Sequence, residues 1–141
     1  MLKLKWFWLF LVELFIQVHK TYQVFNIDDF GAIPNDPSYD AAIKNGKAFN
    51  LALIAANKSF SDRTVLIEGG KLYGMLPAGD LTRLINVTIQ LDAKINIWDE
   101  DHSKYPTDKN GNTLNLISLS KTESLSIVGN GLIEGMINFF T

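Results

Sequence analysis

The chain has 141 residues, a formal net charge of -2, 47% hydrophobic and 20% charged residues, and no cysteine. That length fits one domain or a piece of one, and the composition is that of a globular chain rather than a disordered one. Lack of cysteine excludes disulfides, thiolate metal ligation and a cysteine nucleophile; His19 and His102 stand too far apart for a zinc-ligand spacing; and with no basic stripe interleaved with aromatics, no nucleic-acid partner is expected.

Lys3 and Lys5 precede an apolar run, residues 6–18, interrupted by Glu13 and Gln17. A positive start followed by about 7–15 apolar residues is the pattern of a secretory signal peptide. The run is shorter than the roughly 18–20 residues that span a bilayer. Glu13 is costly in an inserted helix, and 18–21 offers no good small-x-small cleavage site. Residues 1–20 are therefore expected to form a signal peptide or hydrophobic leader on a secreted protein, with an anchor through residues 6–18 or a folded amphipathic helix as alternatives. Two candidate N-glycosylation sites, Asn57 in Asn57-Lys58-Ser59 and Asn86 in Asn86-Val87-Thr88, fit export; ordinary polar loop residues are the competing reading.

Residues 24–30 have the texture of a short strand closed by Gly31. Pro34, Asn35, Asp36, Pro37 and Ser38 are turn formers, and Asp40 is the expected N-cap. Phe49, Ala52, Leu53 and Ala56 recur at helical spacing and predict a helix over 47–57. Gly46, which costs about 1 kcal/mol relative to alanine, is expected to divide 41–57 into two shorter helices. From Arg63 onward the chain turns to short β-like runs. Val65-Leu66-Ile67, Val87-Thr88-Ile89 and Leu125-Ser126-Ile127 align with one another. The alignment brings together Ile67, Ile89 and Ile127, then the turn formers Gly70, Asp92 and Asn130, then Tyr73, Ile95 and Ile133. The first step is 22 residues and the second 38, which implies an insertion carrying the polar stretch 99–112. Repetition at a period of about 20–50 residues predicts a solenoid. No such coil buries its few inward residues alone, so stacking is obligatory and the ends need covers. The alanine-rich helix suits the amino-terminal end; the apolar finish, Met136 to Thr141, shows no cover, and continuation of the natural protein is expected.

These segments resemble the pectin-lyase-like parallel β-helix superfamily, and more narrowly the amino-terminal part of polygalacturonase-type glycoside hydrolases (family 28). The segment 25–32, FNIDDFGA, is similar to that family's opening strand, and 48–56 to its capping helix. Residues 65–73 resemble its first coil, with Glu68 and Gly69 where proline is usual. Residues 86–93, NVTIQLDA, and 127–135, IVGNGLIEG, are similar to later coils, with Ala93 for glycine and Glu134 for aspartate. The resemblance implies a mainly β fold, a right-handed parallel β-helix with an amino-terminal capping α-helix over residues 21–141. It implies a secreted monomer acting on pectic or related polysaccharide, with no cofactor.

The resemblance also implies inverting glycoside hydrolysis, which needs two carboxyl groups about 6.5–9.5 Å apart. It places the catalytic aspartates beyond Gly135, where this chain has none, so no catalytic residue and no metal ligand is assigned and the chain is expected to be inactive. Asp28-Asp29 is expected to be structural. The cluster Asp99-Glu100-Asp101-His102 is expected to be a solvated loop. Asp92 and Asn130 are expected to make turn hydrogen bonds between coils. Trp98 and Tyr105 are expected to pack the insertion against the helix rather than stack on sugar. Gly129-x-Gly131 lacks the following residues of a phosphate loop. A lyase of pectate-lyase type and a non-catalytic carbohydrate-binding β-helix remain alternatives.

Overall fold

The structure is a computed structural model and describes residues 23–135. The leader expected over 1–20 and the apolar finish, 136–141, lie outside the described residues. No helix among the described residues is long and apolar enough to cross a membrane.

The opening strand is shorter than the sequence suggests. β1 spans Val24–Asn26, after which Ile27–Phe30 tightens into a 3-10 turn whose first amide, Asp28 N–H, is accepted by the Asn26 side chain at 3.2 Å. Asparagine at this position competes with strand pairing by capping the backbone locally. Helix α1 then runs unbroken over Tyr39–Lys58. Its N-cap is Ser38, whose hydroxyl accepts from Ala41 N–H at 3.2 Å, not Asp40. Asp40 sits in the first turn, where a carboxylate favours the positive end of the helix dipole.

Gly46 does not divide the helix. A Cβ built there would lie 1.9 Å from the Leu76 carbonyl oxygen. Glycine lets the helix touch the backbone leaving β3, and Leu76 N–H donates to Ala42 O at 3.1 Å beside it. Packing here overrides propensity.

After the helix the chain visits three parallel sheets in a fixed order. β2 (Thr64–Ile67), β3 (Leu72–Met75) and β4 (Leu81–Thr82) make one circuit. β5 (Thr88–Leu91), β6 (Lys94–Ile97) and β7 (Leu119–Ser120) make the next, and β8 (Ser126–Val128) and β9 (Leu132–Glu134) begin a third. Equivalent strands pair side by side, giving sheets ordered β1-β2-β5-β8, β3-β6-β9 and β4-β7.

Between the second and third circuits the offset is uniform. Thr88 pairs with Ser126, Lys94 with Leu132 and Leu81 with Leu119, and Ile85 bridges Glu123, each pair 38 residues apart. The corners repeat too: Arg83 and Lys121 both take positive φ (62° and 53°), as do Asn86 and Ser124 (53° and 54°). The extra length is confined to the connection from β6 to β7.

The first step departs from the sequence alignment. Tyr73 pairs with Ile95, 22 residues on, as the alignment has it. Val65, however, pairs with Ile89, and Ile67 with Leu91, a step of 24. The corner 68–71 holds two residues more than the corner Asp92-Ala93, and absorbs the difference. A slip of two preserves which side chains face inward, so alternation alone cannot detect it.

The interior follows from that alternation. Val65, Ile67, Ile89 and Leu91 from the first sheet meet Tyr73, Met75 and Ile95 from the second, with Leu84 and Val87 closing the third side. Phe49, Ala52, Leu53 and Ala56 of α1 join the same cluster. Ile127 and Ile133 hold the equivalent inward positions on β8 and β9 and are exposed by 60% and 42%.

Helix α1 and the loop before it also pair the free edge of β3. Asn35 donates its N–H to Leu72 O at 2.7 Å, and its side-chain oxygen accepts from Leu72 N–H at 3.1 Å. Asn45, fully buried, donates to Gly74 O at 2.7 Å and exchanges two hydrogen bonds with the Ile33 backbone, at 2.6 and 3.1 Å. An uncovered edge invites pairing with another chain; here asparagine side chains stand in for a neighbouring strand.

Candidate functional site

The outward positions of the second sheet form two rows across the strands: Leu72, Lys94 and Leu132, then Gly74, Asn96 and Glu134. Above the second row stand the loop 35–37 and the start of the insertion, Trp98 to Glu100. Between them lies a groove of about 360 Å³ lined by Asn35, Asp36, Leu72, Gly74, Asn96 and Trp98, with Asp99 and Glu100 at its margin. A second depression of about 460 Å³ shares Asn96, Ile97 and Asp99 and continues to Glu134 and Gly135. The two together follow the direction in which the strands stack. Their volumes fall in the range of ligand clefts, about 300–1,000 Å³.

Trp98 fixes one wall. It is buried, its indole N–H donates to Pro37 O at 3.0 Å, and its ring lies 5.0 Å from that of Tyr39 at 58°. Tyr39, Ile43 and Tyr105 pack around Ala42, Leu76 and Trp98. The two aromatics thus bind the insertion to the helix, and Trp98 also presents an edge to the groove. Gly74 contributes depth: a Cβ there would meet nothing closer than Asp36 O at 3.9 Å.

The Asn96 side-chain oxygen is buried and has no hydrogen-bond partner among the described residues. Such an orphan costs on the order of 1–3 kcal/mol and usually has a reason. Glu134, facing it across the strands, is held by Lys94 at 2.7 Å. Asp36 accepts from Ser38 N–H at 2.9 Å, which holds its carboxyl below the usual range.

The other sequence candidates fall elsewhere. Asp28 receives Tyr73 O–H at 2.8 Å and Lys71 at 2.6 Å, and Lys71 also bonds Glu68. This cluster ties the opening turn to the corner between β2 and β3. Burial and the hydrogen bond to Asp28 push the Tyr73 hydroxyl up, and the bonds to Asp28 and Glu68 push the Lys71 ammonium up. A tyrosine and lysine held protonated are poor bases, which favours a structural role.

Asp101 caps the short turn His102–Lys104, accepting from Ser103 N–H at 3.0 Å and Ser103 Oγ at 2.7 Å. The run 99–102 is thereby split between groove margin and turn cap, and no acidic or histidine cluster fit for a metal occurs among the described residues. Asp92 accepts from Asn130 N–H of the next circuit at 3.3 Å; Asn130 contributes its backbone amide. Gly129 and Gly131 are required by close stacking on that corner, since a Cβ would come within 2.1 Å of Leu91 O and 2.4 Å of Ala93 O respectively.

The two sequons differ in geometry. Asn57 is engaged on both sides of its amide, donating to Arg83 O at 3.1 Å and accepting from Ile85 N–H at 2.9 Å. Asn86 is exposed on a left-handed corner. Sequence reasoning missed the groove, Asn96 and Gly74; the signal available was a polar residue and a glycine at one outward register position in adjacent coils. The chain matches no protein-family model, no curated protein and no solved structure.

Proposed function

We propose that these circuits are turns of a right-handed parallel β-helix with α1 as its cover, and that the protein is a secreted, polygalacturonase-like protein acting on pectic or related polysaccharide. The observation that carries the reading is the groove aligned with the stacking direction across β3, β6 and β9. A linear polymer suits a cleft that continues from strand to strand, since each circuit offers a fresh pair of outward positions. The uniform 38-residue offset supports the β-helix, and connections between parallel strands turn right-handed in about 98% of cases. The family resemblance supplies the substrate class. The catalytic aspartates implied by that resemblance are not in this chain, so it binds polysaccharide and does not cut it.

Affinity electrophoresis of the full chain through gels containing polygalacturonate, methyl-esterified pectin or neutral galactan tests this. Retarded migration in at least one polymer is expected, with no reducing ends released above a boiled control. Unretarded migration in all three rejects polysaccharide binding; release of reducing ends rejects the non-hydrolytic reading.

A further inference from the structure

We infer that the groove over β3 and β6 accepts an uncharged stretch of polysaccharide and rejects a polyuronate. This rests on the polysaccharide reading above and narrows it. The floor carries no charge: Leu72, Gly74, Asn96 and Ile97. The margin carries carboxylates of one sign, Asp36, Asp99 and Glu100. The nearest cation on the same face, Lys94, is already held by Glu134. A chain of galacturonate residues would bring further negative charges against this margin, with no free cation on the floor to receive them. Like charges in a cleft disfavour each other more than on open surface, because its walls are poor in solvent.

An uncharged sugar meets a different surface. Its hydroxyls are donors, and the groove offers acceptors: the margin carboxylates and the unpartnered Asn96 Oδ1. That oxygen is shut off from solvent, but the terminal torsion of asparagine is soft. A rotation about it turns the amide toward a hydroxyl seated on the floor and removes the orphan. Leu72 and the Trp98 edge give the apolar faces of the sugar a wall, and Gly74 leaves room for it. A cationic polymer is less well served, since Asp36 is engaged by Ser38 and Glu134 by Lys94, which leaves charge at the margin and none beneath.

The test compares retardation of the full chain by neutral galactan, methyl-esterified pectin, polygalacturonate and chitosan, at equal polymer concentration. Galactan or methyl-esterified pectin is expected to retard the wild-type chain at least fivefold more than polygalacturonate or chitosan. Gly74→Trp, which fills the groove, is expected to abolish that retardation while keeping the wild-type melting curve. Should Gly74→Trp fold poorly, the double variant Asp99→Asn/Glu100→Gln decides: polygalacturonate retardation is expected to rise several-fold, with galactan binding changed less than twofold. Stronger retardation of the wild type by polygalacturonate or chitosan overturns the inference and leaves polysaccharide binding standing. So does neutral-polymer binding that Gly74→Trp leaves intact, or a double variant whose polyuronate binding is unchanged. Failure of every polymer to retard the chain rejects polysaccharide binding and this inference with it.

Discussion

Gly46 is the residue at which local preference and packing oppose each other most directly. In an exposed helix, Gly→Ala gains about 1 kcal/mol. Here the new methyl would sit 1.9 Å from the Leu76 carbonyl oxygen, backbone that is itself bonded to Ala42. The helix or the β3–β4 connection would have to move, and overpacking of this kind costs about 1–3 kcal/mol. Gly46→Ala is therefore expected to lower the urea midpoint, by about 1–3 kcal/mol of stability; a rise would show that the contact is not tight. Glu68 gives a second test at this scale. The Lys71 ammonium beside it, through a hydrogen bond and then its charge, holds its carboxyl below the usual range. A carboxyl lowered on folding stabilises above its unfolded pKa of about 4.3 and loses that contribution as pH falls through the folded value. The melting temperature of the wild type is expected to exceed that of Glu68→Gln at pH 7, with the gap closing below pH 4 and shrinking in 1 M salt. Lys71, raised on folding by Asp28 and then Glu68, acts oppositely: its contribution holds below about pH 10.4 and is lost as pH rises beyond it. A gap that stays constant from pH 7 to pH 3 rules out the carboxylate.

The edge of β3 shows what side chains do for an element that no strand protects. Asn45 satisfies Gly74 O and both backbone groups of Ile33 from a fully buried position in α1. Truncation leaves these groups without partners, at about 1–3 kcal/mol each. Asn45→Ala is thus expected to cost several kcal/mol, more than Asn50→Ala, whose longer bond to Gly79 O at 3.3 Å is exposed. Equal losses by urea denaturation would deny Asn45 its special place. None of this was legible in the sequence, where Asn45 sits in a stretch read as a weak helix. The strands were legible, because Val65, Ile67, Ile89 and Ile95 alternate with polar or exposed neighbours, and period two survives in any register. The two-residue shift between β2 and β5 was hidden for the same reason: it leaves every inward residue inward, and the longer corner at Glu68 to Lys71 is invisible until the strands are paired. The groove was hidden because Gly74 and Asn96 come together only through that pairing.

At the scale of the molecule, stability comes from stacking circuits, so the register between circuits is the quantity that defines the fold. The sequence contains no cysteine, which makes engineered pairs unambiguous reporters. In-register neighbours in adjacent strands lie about 4.7–4.9 Å apart, within the Cα separation that a disulfide bridges. Thr88 and Ser126 are such a pair, as are Thr64 and Thr88. Both lie at outward positions, beside the inward Val65, Ile89 and Ile127, so substitution leaves the interior untouched. Thr88→Cys/Ser126→Cys is expected to oxidise readily and to stabilise by about 2–4 kcal/mol through closure of the loop between them. Thr64→Cys/Thr88→Cys is expected to do the same, reporting the 24-residue step. Thr64→Cys/Asn86→Cys, the pair that a uniform 22-residue step would bring together, is expected to remain reduced, because Asn86 lies on the corner before β5. Efficient oxidation of this last pair with failure of the other two would show that the circuits stack in the register of the sequence alignment, and the groove built from Gly74, Asn96 and Glu134 would need to be redrawn around it.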